Sequence, residues 1–257
     1  VLLLAAFVAL ARRAAEPLLP PALFRDNTFV VTGAVGFIVG FAMFGSIAFL
    51  PLFLQVVKGM SPTQSGLSLL PMMAGILGAA ILAGQVMSRT GRYRWMPIAA
   101  TALLGLGMLL LSLLTQATDP WALGSYMLIT GVGIGPVNSV STTAVQNAAP
   151  RAMLGVATAG TTLFRQIGGS IGVSLFGTIF ASRLGDELAR ALPPGAHVPT
   201  AANPAVVRTL PPDVRVPYVG AFAEALHPVF LVATAIALAA FAFTWLLVEV
   251  PLRQRAP

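Results

Sequence analysis

Arg165 is the residue whose setting most needs a chemical reason. It stands about a dozen residues into an apolar run, in the block Leu163-Phe164-Arg165-Gln166-Ile167-Gly168-Gly169-Ser170-Ile171-Gly172. A guanidinium at that depth is costly unless it meets water, a carbonyl or an acid, so an ionisable group there marks a substrate cavity or a gate. Snorkelling, or capping carbonyls of a broken neighbouring helix, is the alternative open to the same side chain. The preceding apolar run carries Asn138, Thr142 and Gln146, which share one helical face with Gly131 and Gly135. The run Gly131-Val132-Gly133-Ile134-Gly135-Pro136 weakens its own helix, because Pro136 removes a backbone hydrogen bond and glycine admits a close neighbour. A gating bend and a static packing kink both satisfy that pattern. Pro51 and Pro71 are expected to kink their own segments as packing features.

Other side chains bear on binding rather than catalysis. Phe37, Phe41 and Phe44 form a stripe at helical spacing, extended by Phe49 and Phe53; it serves packing, lipid contact or an aromatic wall for a ligand. Thr158, Thr161 and Arg165 line up with Gly168 and Gly172, with Gln166 adjacent; the glycines read as close-packing points between helices. There is no cysteine, so disulfides, thiol nucleophiles and cysteine-ligated metals are excluded. His197 and His227 are far apart, and all eight acids (Glu16, Asp26, Asp119, Asp186, Glu187, Asp213, Glu224, Glu249) fall in expected loops or at segment ends. No nucleophile–base pair, paired acids or metal cluster emerges, so the residues do not describe an enzyme.

The elements that carry these residues are long and apolar. Residues 29–57, 65–87, 95–114, 121–145, 154–181 and 226–248 are each long enough to cross a hydrocarbon core of roughly 30 Å. None contains Asp, Glu or Lys. Charged residues make up 9% of the chain, against about 25% in soluble domains. A single soluble core cannot cover six such segments, so the expectation is an all-α membrane protein.

The net charge of +7 is an orientation signal, not a nucleic-acid patch. Arg12, Arg13, Arg25, Arg89, Arg92, Arg94, Arg151, Arg253 and Arg255 sit in alternate connections, while Lys58 and Asp119 occupy the intervening ones. Basic short loops stay cytoplasmic, which places the C-terminus inside and Lys58 and Asp119 outside. Residues 183–225 then form a long extracytoplasmic loop, with 186–192 as a surface helix and 193–217 extended or disordered. Residues 1–11 are apolar but too short to span, so residues 1–28 read as the tail of a linker span and a cytoplasmic loop. Residues 29–257 form the six-helix domain, built from two three-helix sets, 29–115 and 121–248. The sets start on opposite sides of the membrane, which makes them inverted repeats. Their third helices hold only scattered Ser and Thr and are expected to face lipid, including Leu109, Leu110 and Ala237.

Several motifs resemble a known family. Phe49-Leu50-Pro51-Leu52-Phe53-Leu54-Gln55, Ser61-Pro62-Thr63-Gln64-Ser65-Gly66-Leu67, Leu69-Leu70-Pro71, the Gly131–Pro136 run and the Arg165–Gly172 block together resemble the C-terminal half of a major facilitator superfamily transporter. The branch is that of the 14-span drug:proton antiporters of the EmrB/QacA type. Gly84, Arg89, Gly91 and Arg92 resemble the superfamily's cytoplasmic loop signature, with Ser88 where an acid normally precedes the first Arg. The resemblance implies a plasma-membrane protein that exports amphipathic or cationic small molecules by proton antiport and alternating access, without a cofactor. The first and fourth helices would line the cavity, making Phe41, Phe44, Gln55, Pro136, Asn138, Thr142, Gln146, Arg165 and Gln166 candidate cavity or gate residues. Its partners would be the bilayer, a drug-like substrate, protons and the missing N-terminal half, where the coupling carboxylates must lie; nucleic acid is not among them. A dedicated metabolite or antibiotic exporter, or a channel or scaffold, fits the same residues.

Overall fold

In this computed structural model the described residues are 20–150, 153–192 and 204–248. They form helices and turns, with no strand among them. A 3-10 turn at Pro21–Arg25 leads into α1 (Asn27–Val56), whose first turn is capped by Asp26 Oδ1 accepting from the Phe29 amide at 3.0 Å. A left-handed turn at Gly59, with φ of 68°, carries the chain to the short α2 (Pro62–Leu67). Here Ser61 and Gln64 cap reciprocally: Ser61 Oγ accepts from the Gln64 amide at 3.2 Å, and Gln64 Oε1 accepts from the Ser61 amide at 3.0 Å. α3 (Leu70–Thr90) follows after a break at Ser68 and Leu69, and α4 (Trp95–Ser112) after a left-handed cap at Gly91. α5 (Pro120–Ala148), α6 (Leu154–Ala191), the short α7 (Pro204–Thr209) and α8 (Pro212–Thr244) complete the described chain.

The helices pair in a definite scheme. α1 lies mainly along α6 and α3 along α5, while α4 packs between α5 and α8, and α8 also meets α1 and α6. Glycine makes the two main crossings possible, because without a Cβ two helix backbones can come into direct contact. A Cβ on Gly172 would lie 2.6 Å from the Phe41 carbonyl oxygen, and one on Gly75 would lie 2.6 Å from that of Leu128. Gly40 and Gly168 repeat the arrangement at the first crossing, Gly131 and Gly135 at the second. Gly133 faces the other way, onto the backbone of Leu104 in α4, so alternate glycines of one run seat α5 between two neighbours.

Several expectations change. The helix expected to end near residue 181 continues to Ala191, and the last helix begins at Pro212 rather than near residue 226. The helix expected separately over 186–192 is the continuous end of α6, and Arg208, Asp213 and Arg215 lie on helix instead of extended loop. Phe180, Leu184 and Leu188 recur every fourth residue and are buried, with Phe180 edge-on to Phe222 of α8 at 4.9 Å. That apolar stripe carries α6 onward, and Arg190 adds a surface ion pair to Glu187 at 2.8 Å. At 1.5 Å per residue, α6 is roughly 57 Å long, well beyond a hydrocarbon core of about 30 Å. Residues 193–203, part of the segment expected to be extended, lie outside the described residues, as do 1–19, 151–152 and 249–257. Pro71 stands in the first turn of α3, where a missing N–H costs little, so it starts that helix rather than kinking one.

Among the described residues five helical segments are long and apolar enough to cross a membrane: Asn27–Val56, Pro62–Thr90, Trp95–Ser112, Leu154–Ala191 and Pro212–Thr244. α5 is long enough, at 29 residues, but is not among these five, its apolar run being interrupted by glycines, Asn138 and Gln146. Nor do α4 and α8 simply face lipid. Leu109 is 42% exposed, but Ala237 is 0% exposed and packs near Gly105 of α4, so the two expected scaffold helices bury one face against each other. Thr101 and Thr244 meet across that contact at 3.4 Å.

Candidate functional site

Two side-chain bridges join α5 to α6. Arg165 Nη1 donates to Asn138 Oδ1 at 2.8 Å. About two turns further along α5, Gln146 Nε2 donates to Thr158 Oγ1 at 3.3 Å. The second bridge lies C-terminal to the first on α5 and N-terminal to it on α6, as antiparallel neighbours require. Both Arg165 and Asn138 are half-buried. Counting 1.5 Å per residue from the helix ends at Leu154 and Ala148, each lies roughly 15 Å along its helix.

Local structure fixes this pair. The Thr142 hydroxyl donates back to the Asn138 carbonyl at 3.0 Å, which occupies Thr142 within its own helix. Arg165 is held from behind by α1: a Cβ on Gly40 would run into the Arg165 carbonyl and Cγ. Only a glycine at that position of α1 lets the Arg165 backbone sit where its side chain reaches Asn138. Beyond the Gln146–Thr158 bridge, an open groove of about 910 Å³ is lined by Gln146, Thr158, Thr162 and Gln166 together with Leu154 and Leu163. Gln146 and Gln166 are exposed along it.

The remaining candidates go elsewhere. Phe41 is buried edge-on to Phe176 at 5.0 Å with its backbone against Gly172, and Phe44 covers Gly169. Neither lines the groove, because the phenylalanine stripe of α1 interlocks with the glycine stripe of α6. Gln55 donates to Ser65 Oγ at 3.0 Å, tying the end of α1 to α2 far from Arg165. Pro136 sits inside a continuous α5, one turn before Asn138 or less. Gly84 faces open space, Gly91 adopts a left-handed cap with φ of 67°, and Arg89 and Arg92 are exposed. Ser88, in the place of the signature acid, donates to the Gln85 carbonyl of its own helix at 2.8 Å. The nearby Arg94 instead reaches the Trp245 carbonyl at 3.2 Å, joining that loop to the end of α8.

Sequence reasoning missed two features. Phe24, Phe29 and Phe164 meet edge-to-face beside an apolar cavity of about 450 Å³, which Phe37 and Ile38 also line. Phe24 precedes α1 and Phe164 belongs to another helix, so the periodicity of α1 alone gave no cue to their meeting. At the other end of the bundle, cationic groups clasp backbone carbonyls: Lys58 Nζ donates to those of Gln116 and Thr118 at 2.7 and 2.6 Å, and Arg208 to that of Met60. His227 Nδ1 lies 2.6 Å from the Ser112 carbonyl. Loss of water around Lys58 lowers its pKa from the ordinary lysine value, and the Asp119 carboxylate partly opposes this. Loop cations spaced far apart in sequence carry no sign that they meet.

A bundle of long apolar helices, seated on glycine and carrying a polar bridge between two of them, describes a polytopic membrane protein. Residues 2–173 match the model of the Major Facilitator Superfamily, and the chain belongs to that family. It is 42% identical over 247 residues to an uncharacterized MFS-type transporter of Mycobacterium tuberculosis, an alignment covering 96% of this chain and 36% of that protein. It is 33% identical over 268 residues to the tetracycline resistance determinant of Streptomyces rimosus, covering 93% of this chain and 77% of that protein. The chain thus spans little more than a third of its mycobacterial relative's length. The crystal structure of a bacterial homolog to the human lysosomal transporter Spinster, inward-facing and occupied, shares the fold with a TM-score of 0.70 at 16% identity, over 86% of this chain and 49% of that one.

Proposed function

We propose that this chain is the C-terminal six-helix half of a drug:proton antiporter of the 14-span EmrB/QacA type, exporting small amphipathic or cationic compounds across the plasma membrane by alternating access. The observation that carries the reading is the half-buried Arg165–Asn138 bridge between α5 and α6, with a groove on the same pair of helices that exposes Gln146 and Gln166. Polar groups within apolar helices are retained where they meet water, substrate or another part of the transporter. The helix pairing supports two three-helix repeats: exchanging α1, α3 and α4 for α5, α6 and α8 maps the α1–α6 contact onto α5–α3 and the α4–α5 contact onto α8–α1. Such inverted repeats place the site between them, near the membrane midplane. The carboxylates for proton coupling belong to the rest of the transporter, since no described acid lies beside Arg165.

A dedicated antibiotic exporter is the second reading, favoured by the likeness to the Streptomyces tetracycline resistance determinant. Efflux from proteoliposomes holding the full-length protein tests both. Ethidium and tetracycline are loaded, and an imposed pH gradient drives export. Multidrug antiport predicts that both leave and that a protonophore stops both; a dedicated exporter moves one alone. If neither moves under any gradient, the export reading is wrong.

A further inference from the structure

We propose that Arg165 and Asn138 form a binding site for a carboxylate. The inference rests on the reading of α5 and α6 as a water-facing wall and names the chemistry that wall selects. A guanidinium carries five N–H donors in one plane and accepts nothing. Of these, one reaches Asn138 Oδ1 at 2.8 Å. Among the described residues the single ion pair joins Arg190 to Glu187, so no described carboxylate neutralises Arg165. The charge therefore sits half-buried within a long apolar helix with one neutral partner, an arrangement whose cost falls when an anion arrives.

The geometry also fixes what the anion would meet. Asn138 uses its side-chain oxygen on the guanidinium, and the amide nitrogen bonded to the same carbon remains a donor next to it. The pair thus offers a fork of guanidinium N–H groups with an amide N–H2 beside it, a donor set that matches the two oxygens of a carboxylate. The donor atoms do not move far on binding. The Arg165 backbone is wedged against Gly40, and the Asn138 side chain is held by its own bond to Arg165. Exposed Gln166 and Gln146 border the approach through the groove, and neither carries charge that would repel an anion.

Two sources supply such a group. One is an acidic substrate, an amphipathic carboxylic acid or zwitterion whose apolar part lies along the Leu163 side of the groove. The other is an acidic side chain from the remainder of the transporter, which would cancel the charge and permit cationic substrates.

The test uses purified full-length transporter and three fluorescent probes, dansyl-leucine, its methyl ester and dansylcadaverine. A substrate carboxylate predicts that the acid binds about tenfold or more tightly than its ester. Arg165→Gln then erases the preference, so that acid and ester bind alike, and Arg165→Lys keeps part of it. Asn138→Asp also erases it, by supplying the carboxylate within the site; this variant keeps the bridge and so guards against simple misfolding. A protein carboxylate predicts no acid preference, loss of export of every probe in Arg165→Asp, and rescue when one membrane-embedded acid of the other half is changed to Arg in the same molecule. An acid preference that survives Arg165→Gln overturns the proposal. So does the absence of any preference without charge-swap rescue. Binding of the acid through Arg165 with no export of any probe would sink the export reading alone, leaving the site.

Discussion

The crossing of α1 and α6 makes a quantitative prediction at Gly172. In an open helix Gly→Ala is favourable by up to about 1 kcal/mol, because alanine loses less backbone entropy. At Gly172 the added Cβ would lie 2.6 Å from the Phe41 carbonyl oxygen, whereas ordinary contact begins at 3.4 Å. The two backbones must part locally by about 0.8 Å, against interlocked rings such as Phe41 on Phe176. Overpacking of this kind costs about 1–3 kcal/mol, which outweighs the propensity gain. Gly172→Ala should therefore lower the thermal midpoint by several degrees, at roughly 2–4 °C per kcal/mol for a chain of this size. Gly78→Ala and Gly177→Ala are the controls, since a Cβ at either meets nothing within 4 Å. They should leave the midpoint unchanged or raise it. Intrinsic tryptophan fluorescence in detergent reports the transition, and the chain has three tryptophans to supply it. If Gly172→Ala melts with the controls, the α1–α6 contact is not the one described.

Two further substitutions probe other parts of the bundle. Ser61→Ala removes one half of the capping box at α2 and should cost about 1 kcal/mol, whereas Thr63→Ala, an exposed position in the same turn, should cost little; thermal melts of the two separate them. Ala237→Leu forces a branched side chain into the closed α4–α8 contact and should destabilise by about 1–3 kcal/mol, while Leu109→Ala on the exposed side of α4 should change stability by less; an Ala237→Leu variant as stable as the parent would return that face to lipid.

The polar bridge was legible because its residue types are rare in apolar segments. Asn138 and Arg165 stand out against Leu, Ile and Val, and a 3.6-residue period places each on a face that can be tested. The length of α6 was not legible, because the charges of Arg183, Asp186, Glu187 and Arg190 suggest a break near residue 182 and a separate surface helix over 186–192 rather than one continuous helix. Phe180, Leu184 and Leu188 held the opposite signal, a buried stripe that continues past the membrane. Ala237 was unreadable for a different reason. α8 is apolar on every side, so its pattern does not separate the face against α4 from the face toward lipid. Phe41 and Phe44 needed knowledge of their partners: an aromatic stripe is a ligand wall or a ridge depending on whether glycines such as Gly169 and Gly172 lie opposite.

Water access along α5 and α6 tests the central claim most directly. The chain has no cysteine, so single cysteines can be introduced at Gln146, Gln166, Leu109 and Leu238 of the otherwise cysteine-free chain and exposed to a membrane-impermeant maleimide in proteoliposomes. The account predicts rapid labelling at Gln146 and Gln166, which border the groove beside the Arg165–Asn138 bridge. It predicts none at Leu109 and Leu238 until a membrane-permeant reagent is used. Labelling at Leu109 with silence at Gln166 would place water on the wrong side of the bundle and contradict it.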